Sequence, residues 1–160
     1  MFDGMMYKTD YKLEWHHEHY TDIDRHKANT TQEASLHLSW PDLCPSGIVP
    51  RYATVYETPV FGGRSNRNGA GWVHLFGLGY DLEVAELPNP LNLGWDIVYN
   101  DGLGSGMPHD WAYSTLSAKT KMAVAENLSL IPAVYYQITM DKATADDDIL
   151  YSTVSMKYDF

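Results

Sequence analysis

Apolar and polar residues alternate with a period of two along most of this chain. In the segment "EASLHLSW", Ala34, Leu36, Leu38 and Trp40 share one parity, and polar side chains occupy the other. The last segment, "DDILYSTVSMKYDF", repeats the pattern up to Phe160 with one serine as the exception. Successive side chains of a β-strand point to opposite faces, so the alternation predicts strands with one apolar and one polar face.

The alternation predicts about eight strands. They correspond to the segments 11–23, 33–40, 47–57, 71–84, 90–101, 111–124, 128–140 and 147–160. The segment "TLSAKTKMAVAENLSL" has a helix-friendly composition, but it alternates as its neighbours do and is therefore also interpreted as strand. Most segments reach the roughly 9–11 residues that a tilted strand needs to cross a bilayer.

The connections alternate in length as well. "DRHKANTT", "TPVFGGRSNRNGAG", "NDGLGSGMPHD" and "DKATADDD" are the longer ones, and "PDLCPSG", "AELPNP" and "AEN" are the compact ones. Long loops at one end and short turns at the other are typical of outer-membrane β-barrels. The sequence thus predicts an all-β fold, an antiparallel up-and-down meander of about eight strands forming an outer-membrane-type β-barrel, with residues 1–160 as a single domain.

Composition narrows the range of partners. The net charge of −10 argues against a nucleic-acid partner, because phosphate binding needs a basic face. The single cysteine excludes an internal disulfide, and no apolar run approaches the roughly 20 residues of a membrane helix. The first residues, "MFDGMMYKTD", lack the features of a secretory signal. The chain is therefore expected either to stay inside the cell or to be a mature or truncated form of an exported protein.

The C-terminal strand resembles the assembly signal of bacterial outer-membrane β-barrels. Their last strand ends on an aromatic residue, with apolar or aromatic residues two and four places before it. Phe160, Tyr158 and Met156 occupy those places here, and Val154 continues the row. The segments "TQEASLHLSW", "GWVHLFGLGYDL", "PLNLGWDIVYNDGLG" and "NLSLIPAVYYQITM" make the chain similar to porins of the TorF-like type and to related small barrels.

This resemblance implies a location in the bacterial outer membrane. The implied partners are the lipid bilayer and the outer-membrane assembly machinery, which reads the last strand. The implied role is that of a porin or a structural membrane protein without catalysis or a cofactor. Members of these families often have more strands, so the chain is either a complete barrel or the C-terminal portion of a larger one. The oligomeric state is left open.

A barrel predicts two sets of side chains. The interior set is Lys12, Glu14, Glu18, Arg51, Glu57, Asp96, Lys119, Lys121 and Lys157. The aromatic girdles at the two membrane interfaces are Trp15, Trp40, Trp72, Trp95, Trp111, Tyr80, Tyr99 and Tyr136. An eight-stranded barrel is just wide enough for its own side chains, so interior charges of both signs are expected to pair as a plug.

Three alternatives stay open at this point. The chain could be a soluble β-barrel or sandwich that binds a small apolar ligand or a glycan. It could be a membrane-embedded lipid hydrolase that uses Ser114 and His109, although it has no G-x-S-x-G elbow. His17 and His19 share one face of "EWHHEHY" and could supply two metal ligands, which is half of a zinc or copper site.

Overall fold

A computed structural model describes residues 8–18, 31–59, 70–103, 109–141 and 147–158. These residues form strands and turns and contain no helix, so the prediction of an all-β chain is confirmed. The strands are β1 (Asp10–Glu18), β2 (Thr31–Ser39), β3 (Val49–Pro59), β4 (Gly71–Leu82), β5 (Leu91–Asp101), β6 (Asp110–Lys119), β7 (Met122–Ala125), β8 (Leu128–Thr139) and β9 (Ile149–Tyr158).

All of these strands belong to one antiparallel sheet. Each strand from β1 to β6 pairs with the next one in the chain, and β9 pairs with β8. β6 and β7 both pair with β8, but along different parts of it, so they occupy a single position in the sheet. The sheet is therefore a meander of eight strand positions, curled into a half-barrel. The predicted up-and-down meander of about eight strands is confirmed.

The break between β6 and β7 lies opposite Pro132. The Thr120 N–H donates to the Pro132 carbonyl over 3.3 Å, so the backbone of Pro132 faces the β6–β7 position. In an antiparallel ladder, the N–H and C=O groups of one residue point toward the same neighbour. Proline has no N–H, and the ladder therefore lacks one hydrogen bond there. The chain leaves the strand at residues 120–121 and resumes it as β7.

A β-bulge near the start of β6 changes which face Trp111 occupies. Val98 pairs with Tyr113, whereas Tyr99 pairs with Trp111, so Ala112 is the extra residue. Without the bulge, Trp111 and Tyr113 would share a face. With it, Trp111 lies beside Tyr99, and their rings meet edge to face with centroids 5.3 Å apart.

The strand register separates two faces of the sheet. What we call the apolar face carries Tyr11, Leu13, Trp15, Leu36, Leu38, Tyr52, Tyr56, Trp72, Phe76, Leu78, Trp95, Ile97, Leu116, Tyr136, Val154 and Met156. The polar face carries Lys12, Glu14, Ser35, His37, Arg51, Asp96, Thr115, Ser117 and Gln137, together with apolar residues such as Leu75 and the tyrosines Tyr113, Tyr135 and Tyr151. Ala53, Val98 and Ala133 lie on the polar face and are buried. Side chains crowd together on the inside of a curved sheet, so the polar face is the concave one.

One row of paired residues crosses the whole sheet. It consists of Asp10, Ser39, Arg51, Gly77, Asp96, Thr115, Gln137 and Ile149. The row joins the first residue of β1 to the first residue of β9, and these strands run in opposite directions. The first residue of β1 lies at the short-turn end of the sheet, and the first residue of β9 lies at the long-loop end. Measured from the short-turn ends of the strands, the row therefore shifts by about nine residues along the strand direction over seven strand spacings. At about 3.3 Å per residue and 4.8 Å per strand, the strands tilt by roughly 40°.

The two edge strands of the sheet stay apart. Within the described residues, β1 contacts only β2, and β9 contacts only β8. Among the described residues, the sheet therefore curls without closing, and each edge strand has one side along which no described strand pairs.

Candidate functional site

A bidentate ion pair lies across the centre of the polar face. Arg51 Nε donates to Asp96 Oδ1 over 3.0 Å, and Arg51 Nη2 donates to Asp96 Oδ2 over 2.8 Å. Arg51 belongs to β3 and Asp96 to β5, so the pair spans the intervening strand β4 at Gly77. Two parallel hydrogen bonds between ionised groups fix both the distance and the orientation of the side chains.

Two glycines make room for this ion pair. A Cβ atom on Gly77 would overlap Asp96 Oδ1 and lie 2.7 Å from Arg51 Nε. A Cβ atom on Gly94 would overlap Ser117 Oγ and lie 2.8 Å from Arg51 Nη2. The guanidinium group therefore lies against bare backbone. The sequence interpretation missed both glycines, although a glycine inside a strand pattern is a signal of close approach.

A second ionic cluster lies on the polar face near the β1 edge. Glu14 contacts Lys12 on its own strand and His37 on β2, whose Nε2 is 3.1 Å from Glu14 Oε2. His16 Nε2 lies 3.6 Å from the other oxygen of the same carboxylate. One acidic group is thus shared by three basic side chains.

Two shallow clefts border the Arg51–Asp96 pair. One has a volume of about 470 Å³, and its charged and polar lining includes Asp10, Lys12, Glu14, His37, Ser39, Arg51 and Asp96. The other has a volume of about 350 Å³, and its polar lining is Ser39, Arg51, Asp81, Asn92, Ser117 and Lys119. Arg51 contributes to both clefts. The charged groups, amides and hydroxyls that line the two clefts can form hydrogen bonds with water and with small polar solutes.

The rest of the predicted interior set is distributed as follows. Glu57, Lys119 and Lys157 lie on the polar face by register. Lys121 lies in the break between β6 and β7, where its carbonyl accepts a hydrogen bond from Asn89 Nδ2. Glu18 is the last residue of β1. A strand pattern could not foresee the position of Lys121, because the break depends on a proline in the following strand.

Most of the predicted girdle aromatics lie near strand ends. Trp15, Trp72, Tyr99, Trp111 and Tyr136 are near the long-loop end, while Tyr80 is near the short-turn end and Trp40 follows the last residue of β2. Ring contacts join several of them to other aromatics on the apolar face. Tyr56 and Trp72 have centroids 4.9 Å apart, and Phe76 and Trp111 have centroids 6.0 Å apart.

Trp95 differs from the other girdle candidates because it lies near the middle of its strand. Its indole Nε1 donates to Ser114 Oγ over 2.8 Å, and Ser114 Oγ donates in turn to the Asp96 carbonyl over 3.2 Å. Ser114 is buried, whereas His109 is largely exposed and its Nδ1 lies 2.6 Å from Asp101 Oδ1. The two residues of the hydrolase alternative thus have separate hydrogen-bond partners.

The remaining candidates concern metals and the C-terminal motif. His17 is exposed on β1, and His19 lies outside the described residues. In the described ranges, no group of three or more histidine, cysteine or acidic side chains could hold a metal ion. Val154, Met156 and Tyr158 are exposed on the apolar face of β9, and Phe160 lies outside the described residues.

In the part of the chain that the structure describes, no helix is long and apolar enough to cross a membrane. No family model, curated protein or solved structure matches this chain.

Proposed function

We propose that this chain is an outer-membrane β-barrel protein of porin or structural type. Its apolar face contacts lipid, and its polar face lines the inside of the barrel. The observation that carries the proposal is a continuous apolar face with no second layer over it in the described residues. Phe76 is 44% exposed at the centre of that face, and Leu13 and Met156 are 73% and 71% exposed at its edges. Soluble monomers rarely expose contiguous apolar patches larger than a few hundred Å².

Several polar atoms on the apolar face have partners close by, while Thr54 Oγ1 is buried on this face without a hydrogen-bond partner among the described residues. The Trp95 indole donates to Ser114, and the Tyr52 hydroxyl shares a hydrogen bond of 2.8 Å with His74 Nδ1. Hydrocarbon offers no hydrogen bonds, so an unsatisfied polar group there costs several kcal/mol. Hydrogen bonds from the Trp95 indole and the Tyr52 hydroxyl to protein partners support a lipid-facing surface. At a surface exposed to water, water molecules would satisfy these groups and no protein partner would be needed.

The strand geometry supports the same function. The tilt of roughly 40° lies within the range of about 35–45° that transmembrane barrels adopt. Strands β3, β4, β5 and β8 have eleven or twelve residues, which is enough to cross a bilayer at that tilt. Most charged strand residues lie on the opposite, concave face, where Arg51 and Asp96 satisfy each other. Asp101 is an exception at the long-loop end of β5, where it lies 3.6 Å from His74 on the apolar face.

The proposal is tested by fluorescence quenching with brominated lipids. Two variants each keep one tryptophan, either Trp95 or Trp111, and carry phenylalanine at the other four positions. Each is folded into phosphatidylcholine vesicles with bromine near the bilayer centre or near the headgroups. We expect deep bromines to quench Trp95 more strongly and shallow bromines to quench Trp111 more strongly, because Trp95 lies near mid-strand and Trp111 near a strand end.

Two results would contradict the proposal. One is a chain that is monodisperse in buffer without detergent. The other is tryptophan fluorescence that neither set of bromines reduces. Both would favour the soluble alternative, in which a second protein layer covers the apolar face, since two sheets pack about 10 Å apart in a sandwich.

A further inference from the structure

The unpaired sides of β1 and β9 need a partner if the sheet spans a membrane. These strands have nine and ten residues, and within the described residues they make no contact with each other. In hydrocarbon, backbone N–H and C=O groups on an open edge have no water to bind, so spanning sheets close into barrels. The need for a partner at these edges rests on the proposed membrane function.

The curvature of the sheet indicates how many strands the closed barrel contains. Eight strand positions make a half-barrel, so a full circle at that curvature contains about sixteen. Closure of β1 directly onto β9 would require about 45° of turn per strand in place of about 22°. It would also press the two sides of the polar face together, with Lys12, Arg51 and Lys119 in one narrow interior.

We propose that two copies of this chain close one barrel of about sixteen strands. The strand directions permit this, because an even number of strand positions makes β1 and β9 antiparallel. A twofold axis along the barrel then sets β9 of each copy beside β1 of the other in an antiparallel pair. Both seams are identical, and no edge is left open.

The side chains of the two edges match on the apolar face. With the short-turn ends level, Tyr158, Met156 and Val154 of one copy lie opposite Tyr11, Leu13 and Trp15 of the other, so apolar side chains meet on the lipid side. On the polar face, the same register sets Ser155 opposite Glu14, Thr153 opposite His16 and Lys157 opposite Lys12. The two lysines are a like-charge pair, and Glu14, which contacts Lys12, lies beside them. Apolar and aromatic cross-strand pairs stabilise a sheet, whereas like charges directly opposite each other destabilise it.

The dimer changes what the polar face encloses. An eight-stranded barrel is filled by its own side chains, whereas barrels of about sixteen strands leave an aqueous channel. The clefts beside Arg51 would then open onto water. Channel function would belong to the pair of copies rather than to one chain.

The test introduces cysteines on the two edges in a Cys44→Ser background. One variant carries Leu13→Cys with Met156→Cys, and a second carries Trp15→Cys with Val154→Cys. After folding into phosphatidylcholine vesicles and oxidation, we expect a reducible band at about twice the chain mass of 18.1 kDa. The control carries Leu78→Cys with Met156→Cys. Leu78 lies on the apolar face of β4, away from both edges, and should give no such band.

Two outcomes would overturn the dimer. An intramolecular disulfide at unchanged mass means that β1 closes onto β9 of the same chain. The absence of any disulfide in both edge variants means that something other than a second copy covers the edges. The quenching measurement on the same samples separates this failure from failure of the membrane proposal. A self-closed barrel would still be quenched by brominated lipid, and a soluble sheet would not.

Discussion

The substitution Gly77→Ala tests whether the central ion pair needs bare backbone beneath it. The added Cβ atom would overlap Asp96 Oδ1 and lie 2.7 Å from Nε and 2.9 Å from Cγ of Arg51. At least one of the two side chains must move, which breaks the bidentate geometry. Gly77 does not have a positive φ angle, so the backbone itself accepts alanine.

Two opposing contributions set the size of the effect. Alanine in place of glycine within a strand stabilises by about 0.5–1 kcal/mol, because it reduces the entropy of the unfolded chain. Loss of hydrogen bonds between charged groups costs about 1.5–3 kcal/mol. The Arg51 and Asp96 side chains keep 36% and 27% of their exposure to solvent, so we take the lower part of that range. The expected net result is destabilisation by about 1 kcal/mol.

Gly79→Ala is the matched control on the same strand and the same face. Its added Cβ atom would find its nearest neighbours at 3.8 Å and 3.9 Å, which is ordinary van der Waals contact. We expect this variant to be stabilised by about 0.5–1 kcal/mol, so the two substitutions should differ in sign. The measurement is guanidinium unfolding in detergent micelles, followed by tryptophan fluorescence.

Two results would refute this reasoning. One is a Gly77→Ala variant that is as stable as Gly79→Ala. The other comes from a background that carries Arg51→Ala and Asp96→Ala, in which the ion pair no longer exists and the cost of Gly77→Ala should vanish. A cost that persists there would mean that the glycine serves another purpose.

Two further substitutions test local features of the sheet. Ser114→Ala leaves the Trp95 indole N–H without its partner and should lower the free energy of unfolding by about 1–3 kcal/mol. An unchanged unfolding midpoint would contradict this expectation. Ester hydrolysis that survives the same substitution would eliminate the hydrolase alternative. Pro132→Ala supplies an N–H at position 132 that can donate to the strand position opposite, where proline has none. One added hydrogen bond is worth about 1 kcal/mol, so amide exchange at residues 120–121 should slow roughly fivefold. Exchange as fast as in the parent chain would show that proline does not cause the break.

The strands themselves could be predicted because the signal for them is local. The segment 71–84 corresponds to β4, which spans Gly71–Leu82, and the segment 90–101 corresponds to β5, which spans Leu91–Asp101. Each strand has an apolar environment on one face and a polar one on the other, so its own residues carry the alternation. The same alternation assigns Arg51 and Asp96 to the polar face of their strands.

Features that involve two or more strands could not be predicted in this way. The segment 111–124 was expected to be one strand, yet it is divided into β6 and β7 opposite Pro132 of β8. The bulge at Ala112, which turns Trp111 onto the apolar face, is visible only in the register with β5. The pairing of Arg51 with Asp96 also depends on register, because these residues are 45 positions apart in the chain.

The positions of the strands and the apolar face of each strand follow from the order of residues alone, since side-chain direction alternates along any strand regardless of its neighbours. The stagger of the strands, the curl of the sheet and the identity of its edges follow from the folded arrangement. Those properties depend on hydrogen bonds between residues distant in the chain, and a change of register by two residues would leave the alternation intact while moving every pair.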